Sequence, residues 1–202
     1  MKPRGIGSLA VFMAASALCP AQAIYRMNPE QSGVSVHLST SGLLKFAGHK
    51  HLIEAPIERG TIRYFAEAPE KSSVELEVSS RALRVIDRDA DAKERAEIQR
   101  TMEGPEVLDV ARFPRISFKS ASTRRLGGER VELEGNLTLH GLTRPVRVAG
   151  IISSTGSRLQ ASGSCRFKQT DFGIKPVKAG GGTVSVKDEI QLSFRFTADL
   201  AR

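Results

Sequence analysis

The sequence predicts an all-β protein, a single antiparallel barrel of about eight strands with one short α-helix. Three observations predict it. Apolar and polar residues alternate with a period of two along most of the chain, as they do in strands with one buried face. The runs are long, and turn residues separate them at hairpin spacing: Gly127-Gly128, Gly141 and Ser154-Thr155-Gly156. One segment alone carries helix start and stop signals. A sheet with one apolar face must pack on a second sheet or close on itself, and closure also removes edges that invite aggregation.

The chain opens with Lys2 and Arg4 ahead of a mostly apolar run, Ile6 to Leu18, and then Ala21-Gln22-Ala23. This is the layout of an export signal, with small residues where a signal peptidase reads. Cleavage is expected after Ala23, which divides the chain into a leader, 1–23, and one domain, 24–202. Acylation at Cys19 is disfavoured because Leu18 is too large for the preceding position. Cleavage takes Cys19 away and leaves Cys165 alone, so no internal disulfide is expected. Cys165 reads as a small buried hydrophobe in a strand.

The strands follow in order. Val34, Val36 and Leu38 alternate with Ser35, His37 and Ser39; Val74, Leu76 and Val78 alternate with Glu75, Glu77 and Ser79. The helix comes next. Asp91 is placed to cap it with Glu94 three residues on, and Gly104-Pro105 stops it. Its apolar stripe, Ala92, Ala96, Ile98 and Met102, is thin, which suits a helix outside the barrel or across its mouth. Val131, Leu133, Gly135, Leu137 and Leu139 then share a face, followed by Val146, Val148, Gly150 and Ile152. Leu159, Ala161, Gly163, Cys165 and Phe167 make another. The last strand sets Val184, Val186, Ile190, Leu192, Phe194 and Phe196 against polar neighbours. The Gly and Ala residues on these faces either relieve crowding in a curved sheet or leave space inside it.

Composition excludes several functions. The formal net charge is +8, but Lys and Arg are scattered among Asp and Glu, there is no Trp, and only 2 Tyr are present. That is not the basic stripe with interleaved aromatics that a nucleic-acid binder uses. Mild positive charge is compatible with transient contact at an anionic membrane surface, and with a plain solvated exterior. No Gly-x-Ser-x-Gly elbow accompanies the histidines, so no serine hydrolase is predicted, and no other catalytic residues stand out. Asp171 reads as a turn cap within Thr170-Asp171-Phe172-Gly173. His49 and His51, two apart, could share a strand face and chelate a metal or haem. The competing reading makes them turn histidines bonded around Gly48.

Three strings are characteristic: Met102 to Ser120 (MEGPEVLDVARFPRISFKS), Gly135 to Val146 (GNLTLHGLTRPV) and Phe167 to Ile174 (FKQTDFGI). With Tyr25-Arg26-Met27-Asn28-Pro29, Leu44 to His51 (LKFAGHKH) and Glu97 to Met102 (EIQRTM), their order resembles the YceI family of exported, lipocalin-like barrels. The likeness spans nearly the whole region after the leader. Two departures are Tyr25-Arg26-Met27-Asn28 in place of a Trp-led opening, and the Gly48-His49-Lys50-His51 segment, which only part of the family has.

The resemblance implies a periplasmic carrier or store, not an enzyme, that binds a polyisoprenoid or similar lipid, a quinone tail included, and needs no other cofactor. Cavity lining is expected from Leu133, Leu137, Leu139, Val146, Val148, Leu159, Phe167, Phe172, Ile190, Leu192, Phe194 and Phe196. Arg144 and Arg147 are candidates for meeting a phosphate at the mouth, or simply solubilising charges. Two other classes stay open: a metal or haem protein using His49 and His51, and a filled barrel acting on a partner through its surface. Whether two copies pair is not legible.

Overall fold

The computed structural model describes residues 22–42, 51–179 and 184–201. Residues 1–21 of the expected leader, with Cys19, lie outside the described residues, as does His49. Gln22 and Ala23, the last two residues of that leader, pair with Phe65 and Tyr64.

The strands are β1 (Gln22–Met27), β2 (Gly33–Gly42), β3 (His51–Pro56), β4 (Arg59–Phe65), β5 (Ser73–Ser79) and β6 (Arg84–Val85). The helix α1 (Ala92–Glu103) follows, then β7 (Arg115–Gly127), β8 (Arg130–Leu139), β9 (Leu142–Ser154), β10 (Arg158–Lys168), β11 (Lys178–Ala179) and β12 (Val184–Leu200). Among the described residues all pairings are antiparallel and belong to one sheet. β11 flanks β12 over two residues, and six others join end to end as β1–β2, β3–β4 and β5–β6, leaving eight staves. The first joint is a 3-10 turn at Pro29–Gln31 and the third one at Ser80–Ala82. The sheet closes because β12 pairs with β10 on one side and with both β2 and β1 on the other.

β12 can serve four partners because it is 17 residues long, and its register against β2 shifts between Val186 and Ile190. A second irregularity, in β7 between Ser120 and Ser122, turns Thr123 to the face that Leu133 occupies. Bulges of this kind strengthen the local twist and help a sheet bend into a barrel. The β8–β9 hairpin turns through His140 and Gly141, with φ of 50° and 73°. Two consecutive positive φ values define the type I′ turn that matches strand twist, which explains the Gly at 141.

The helix starts where expected. Asp91 Oδ1 accepts the Lys93 and Glu94 amides, both at 2.8 Å, and Gly104 ends the segment. Its buried stripe differs from the expected one. Ala92 and Ala96 are exposed, while Ile98, Gln99 and above all Met102 face the barrel. Gln99 decides this face: its side-chain amide donates to the Leu83 carbonyl and its oxygen accepts the Val85 amide. A polar side chain thus fixes the helix to β6, and the tether sets its rotation.

Candidate ligand cavity

Inward residues of all eight staves leave a cavity of about 230 Å³. Tyr64, Pro69, Ser72 and Thr123 lie at one end of its lining. Met102, Val107, Leu108, Gln169 and Ile174 lie at the other, where α1 and the chain after it cross the barrel end. Between them the wall is almost wholly Val, Leu, Ile and Phe. A space of this size with so few polar groups cannot hold well-bonded water, so it favours an apolar occupant.

Ten of the expected lining residues border it: Leu133, Leu137, Leu139, Val146, Val148, Phe167, Ile190, Leu192, Phe194 and Phe196. Leu159 and Phe172 do not. Both are 0% exposed, but Leu159 lies at the β9–β10 end and Phe172 in the 3-10 turn Gln169–Phe172, packed edge-on to Phe167 at 5.3 Å. They pack the barrel ends instead of its wall. Sequence reasoning also missed lining from β2, β3, β5 and β7, including Val36, Ile53, Leu76, Ile116 and Phe118. The alternation in β2 and β5 already put Val36 and Leu76 on an apolar face.

The small inward residues relieve crowding. A Cβ at Gly135 would lie 2.4 Å from Phe118 Cζ, so the Phe118 ring fills the place a side chain would need. Gly163 is filled in the same way by Phe194, which stacks on Phe196 at 4.6 Å. The cavity is what remains after these rings are seated. Cys165 borders it, 9% exposed, and burial pushes its thiol up to about 11.

Among the polar residues, Asp171 settles differently from expectation. Asp171 is exposed and does not cap its corner; Asp188 does, accepting the Thr170 amide at 2.9 Å and its hydroxyl at 2.8 Å. The register shift in β12 brings Asp188 there, a feature that residue parity cannot reveal. Arg147 is bound to Glu134 at 2.7 Å on the outer face, and Arg144 donates to the Thr143 carbonyl. His140 sits in its turn, its ring 4.7 Å from that of Phe113 and its Nδ1 3.2 Å from the Phe172 carbonyl. His37 is exposed, 3.4 Å from Ser193. Gly48, around which His51 was expected to bond, lies outside the described residues. His51 is in β3, its Nδ1 2.6 Å from Asp87 Oδ2. Among the described residues no group of three His, Cys, Asp or Glu is placed to hold a metal. No helix among them is long and apolar enough to cross a membrane.

A closed antiparallel barrel around an apolar cavity, with one helix over its end, defines a lipocalin-like barrel protein. The YceI-like domain model matches residues 25–198, and the chain belongs to that family. A UPF0312 protein of Pseudomonas savastanoi pv. phaseolicola is 28% identical over 141 residues, 67% of each chain. Another from Enterobacter sp. is 34% identical over 87 residues, 39% of this chain and 44% of its own. Among solved structures, Burkholderia cenocepacia BcnA aligns with a TM-score of 0.63 at 16% identity, covering 85% of this chain and 98% of its own. A polyisoprenoid binding domain from Saccharophagus degradans aligns with a TM-score of 0.57 at 10% identity, covering 88% and 98%. At these identities the structural likeness establishes the fold.

Proposed function

We propose that this chain is an exported, periplasmic carrier or store for a long apolar lipid tail, isoprenoid in character, held inside the barrel. The observation that carries the reading is the cavity of about 230 Å³, walled by aliphatic and phenyl side chains along the barrel. Each methylene moved from water into such a wall contributes about 0.8 kcal/mol, so a tail binds without many polar contacts. The polyisoprenoid binding domain on the same fold supports the choice of lipid class. The leader-like N-terminus, with Lys2, Arg4 and Ala21-Gln22-Ala23, supports export.

The test is native mass spectrometry of the protein purified from the bacterial periplasm, followed by solvent extraction. The expected result is a bound lipid of defined mass that is lost from a Leu133→Trp variant, whose larger side chain fills the wall position. A barrel that carries no lipid, and takes up none when offered isoprenoid alcohols, would rule the reading out.

A further inference from the structure

His51 and Asp87 stand opposite one another at the end of the barrel that α1 crosses. Ile53 pairs with Val85 and Glu54 with Arg84, and the Ile86 amide continues the ladder to the Leu52 carbonyl at 2.8 Å. The next step of that register brings Asp87 beside His51. His51 itself pairs with Leu38 of β2, and both Leu38 and Ile53 border the cavity. Strand alternation therefore puts His51 on the inward face, one position beyond the apolar wall.

The pair is built and largely buried, with side-chain exposures of 16% for His51 and 5% for Asp87. Asp87 Oδ1 accepts the Leu52 amide at 2.6 Å, and Oδ2 is 2.6 Å from His51 Nδ1. An ionised carboxylate only accepts, so the Nδ1 proton is donated to it. That fixes the ring and its tautomer, leaving the Nε2 lone pair as an acceptor when the imidazole is neutral. Nε2 makes no hydrogen bond to any described residue. Arg95 Nη1 donates to the Asp87 and Ala90 backbone carbonyls. The Nε2 lone pair is the group of this pair placed to accept a proton donor.

We propose that His51 Nε2, oriented by Asp87, receives the hydroxyl head of a long-chain alcohol or phenol whose tail lies in the cavity. This rests on the reading that the cavity holds an apolar tail. It adds what that reading lacks, a polar contact that sets which end of the lipid enters last and which head groups are accepted. Apolar walls set affinity for a class, and few placed polar groups set identity.

The experiment compares three probes with the same tail: farnesol, farnesene and farnesyl phosphate. Binding is followed by titration calorimetry, and the His51 ring nitrogens by NMR. The wild-type protein is expected to bind farnesol roughly fivefold to tenfold more tightly than farnesene, the worth of one hydrogen bond. Farnesol, but not farnesene, should shift the Nε2 resonance. His51→Leu should abolish the difference and leave farnesene binding unchanged. Should that variant fail to fold, the wild-type comparison and the ring shift decide without it. Equal binding of farnesol and farnesene with no ring shift overturns this head-group site and leaves the carrier reading standing. Farnesyl phosphate binding tighter than farnesol through His51 overturns the hydroxyl class. Binding of none of the three overturns the carrier reading and this site with it.

Discussion

Gly163 and Phe194 pair across β10 and β12, and the phenyl ring occupies the volume that a side chain at 163 would take. A Cβ on Gly163 would lie 2.7 Å from Phe194 Cζ and 2.2 Å from the Ala149 carbonyl oxygen. Phe194 could turn, but backbone cannot yield cheaply. Gly163→Ala is therefore expected to destabilise the fold by about 1–3 kcal/mol, as overpacked cores do. Urea unfolding measures it; an unchanged midpoint would show that the β9–β10 ladder relaxes freely.

Cys165 gives a prediction with a definite pH window. Burial pushes its thiol from 9.0 up to about 11, so the folded chain holds this proton more tightly than the unfolded chain. The contribution is fully present below the unfolded value of 9.0 and is lost as pH rises through about 11. Stability should fall across that window by more in wild type than in Cys165→Ala. An alkylating reagent at pH 8 should label Cys165 in urea and leave the native barrel unlabelled. Rapid native labelling would mean that the wall opens.

Asp87 supports two groups at once, the Leu52 amide and the His51 ring. Asp87→Ala leaves both without their acceptor in a buried place, at a cost of about 2–3 kcal/mol. Thermal melts of Asp87→Ala and His51→Leu separate the roles. The Asp87 variant should lose more, because only it orphans a backbone amide of β3.

Asp91 holds the first turn of α1 through two amides. Asp91→Ala should cost about 1 kcal/mol of local stability. Hydrogen exchange is the measurement that resolves it: amides of α1 should speed up, while those of β8 and β10 stay protected. Acceleration spread across the barrel would instead make the helix part of the global unit.

Much of the barrel was legible in the chain. Side chains alternate with a period of two in any strand, so Val131, Leu133, Leu137 and Leu139 had to share a face before their neighbours were known. Gly141 marked its hairpin because two positive φ values are costly for other residues. Asp91 marked the helix start because unpaired amides need a nearby acceptor. These are local effects, carried by a few adjacent residues.

What lay beyond the sequence depended on partners far along the chain. Leu159 and Phe172 carried the expected chemistry but pack the barrel ends, since alternation fixes a face and not a height along the barrel. Asp188 took the capping role expected of Asp171 because a register shift in β12 moved it beside Thr170. His51 found Asp87, 36 residues away, through the ladder that β3 forms with the chain of β6. Alternation alone marked β2, β5, β8, β9, β10 and β12 and their apolar faces, because sterics and local hydrogen bonding act within a few residues. Which faces met, what space the Phe rings left, and that a histidine stands at its edge depend on register and closure across the whole sheet.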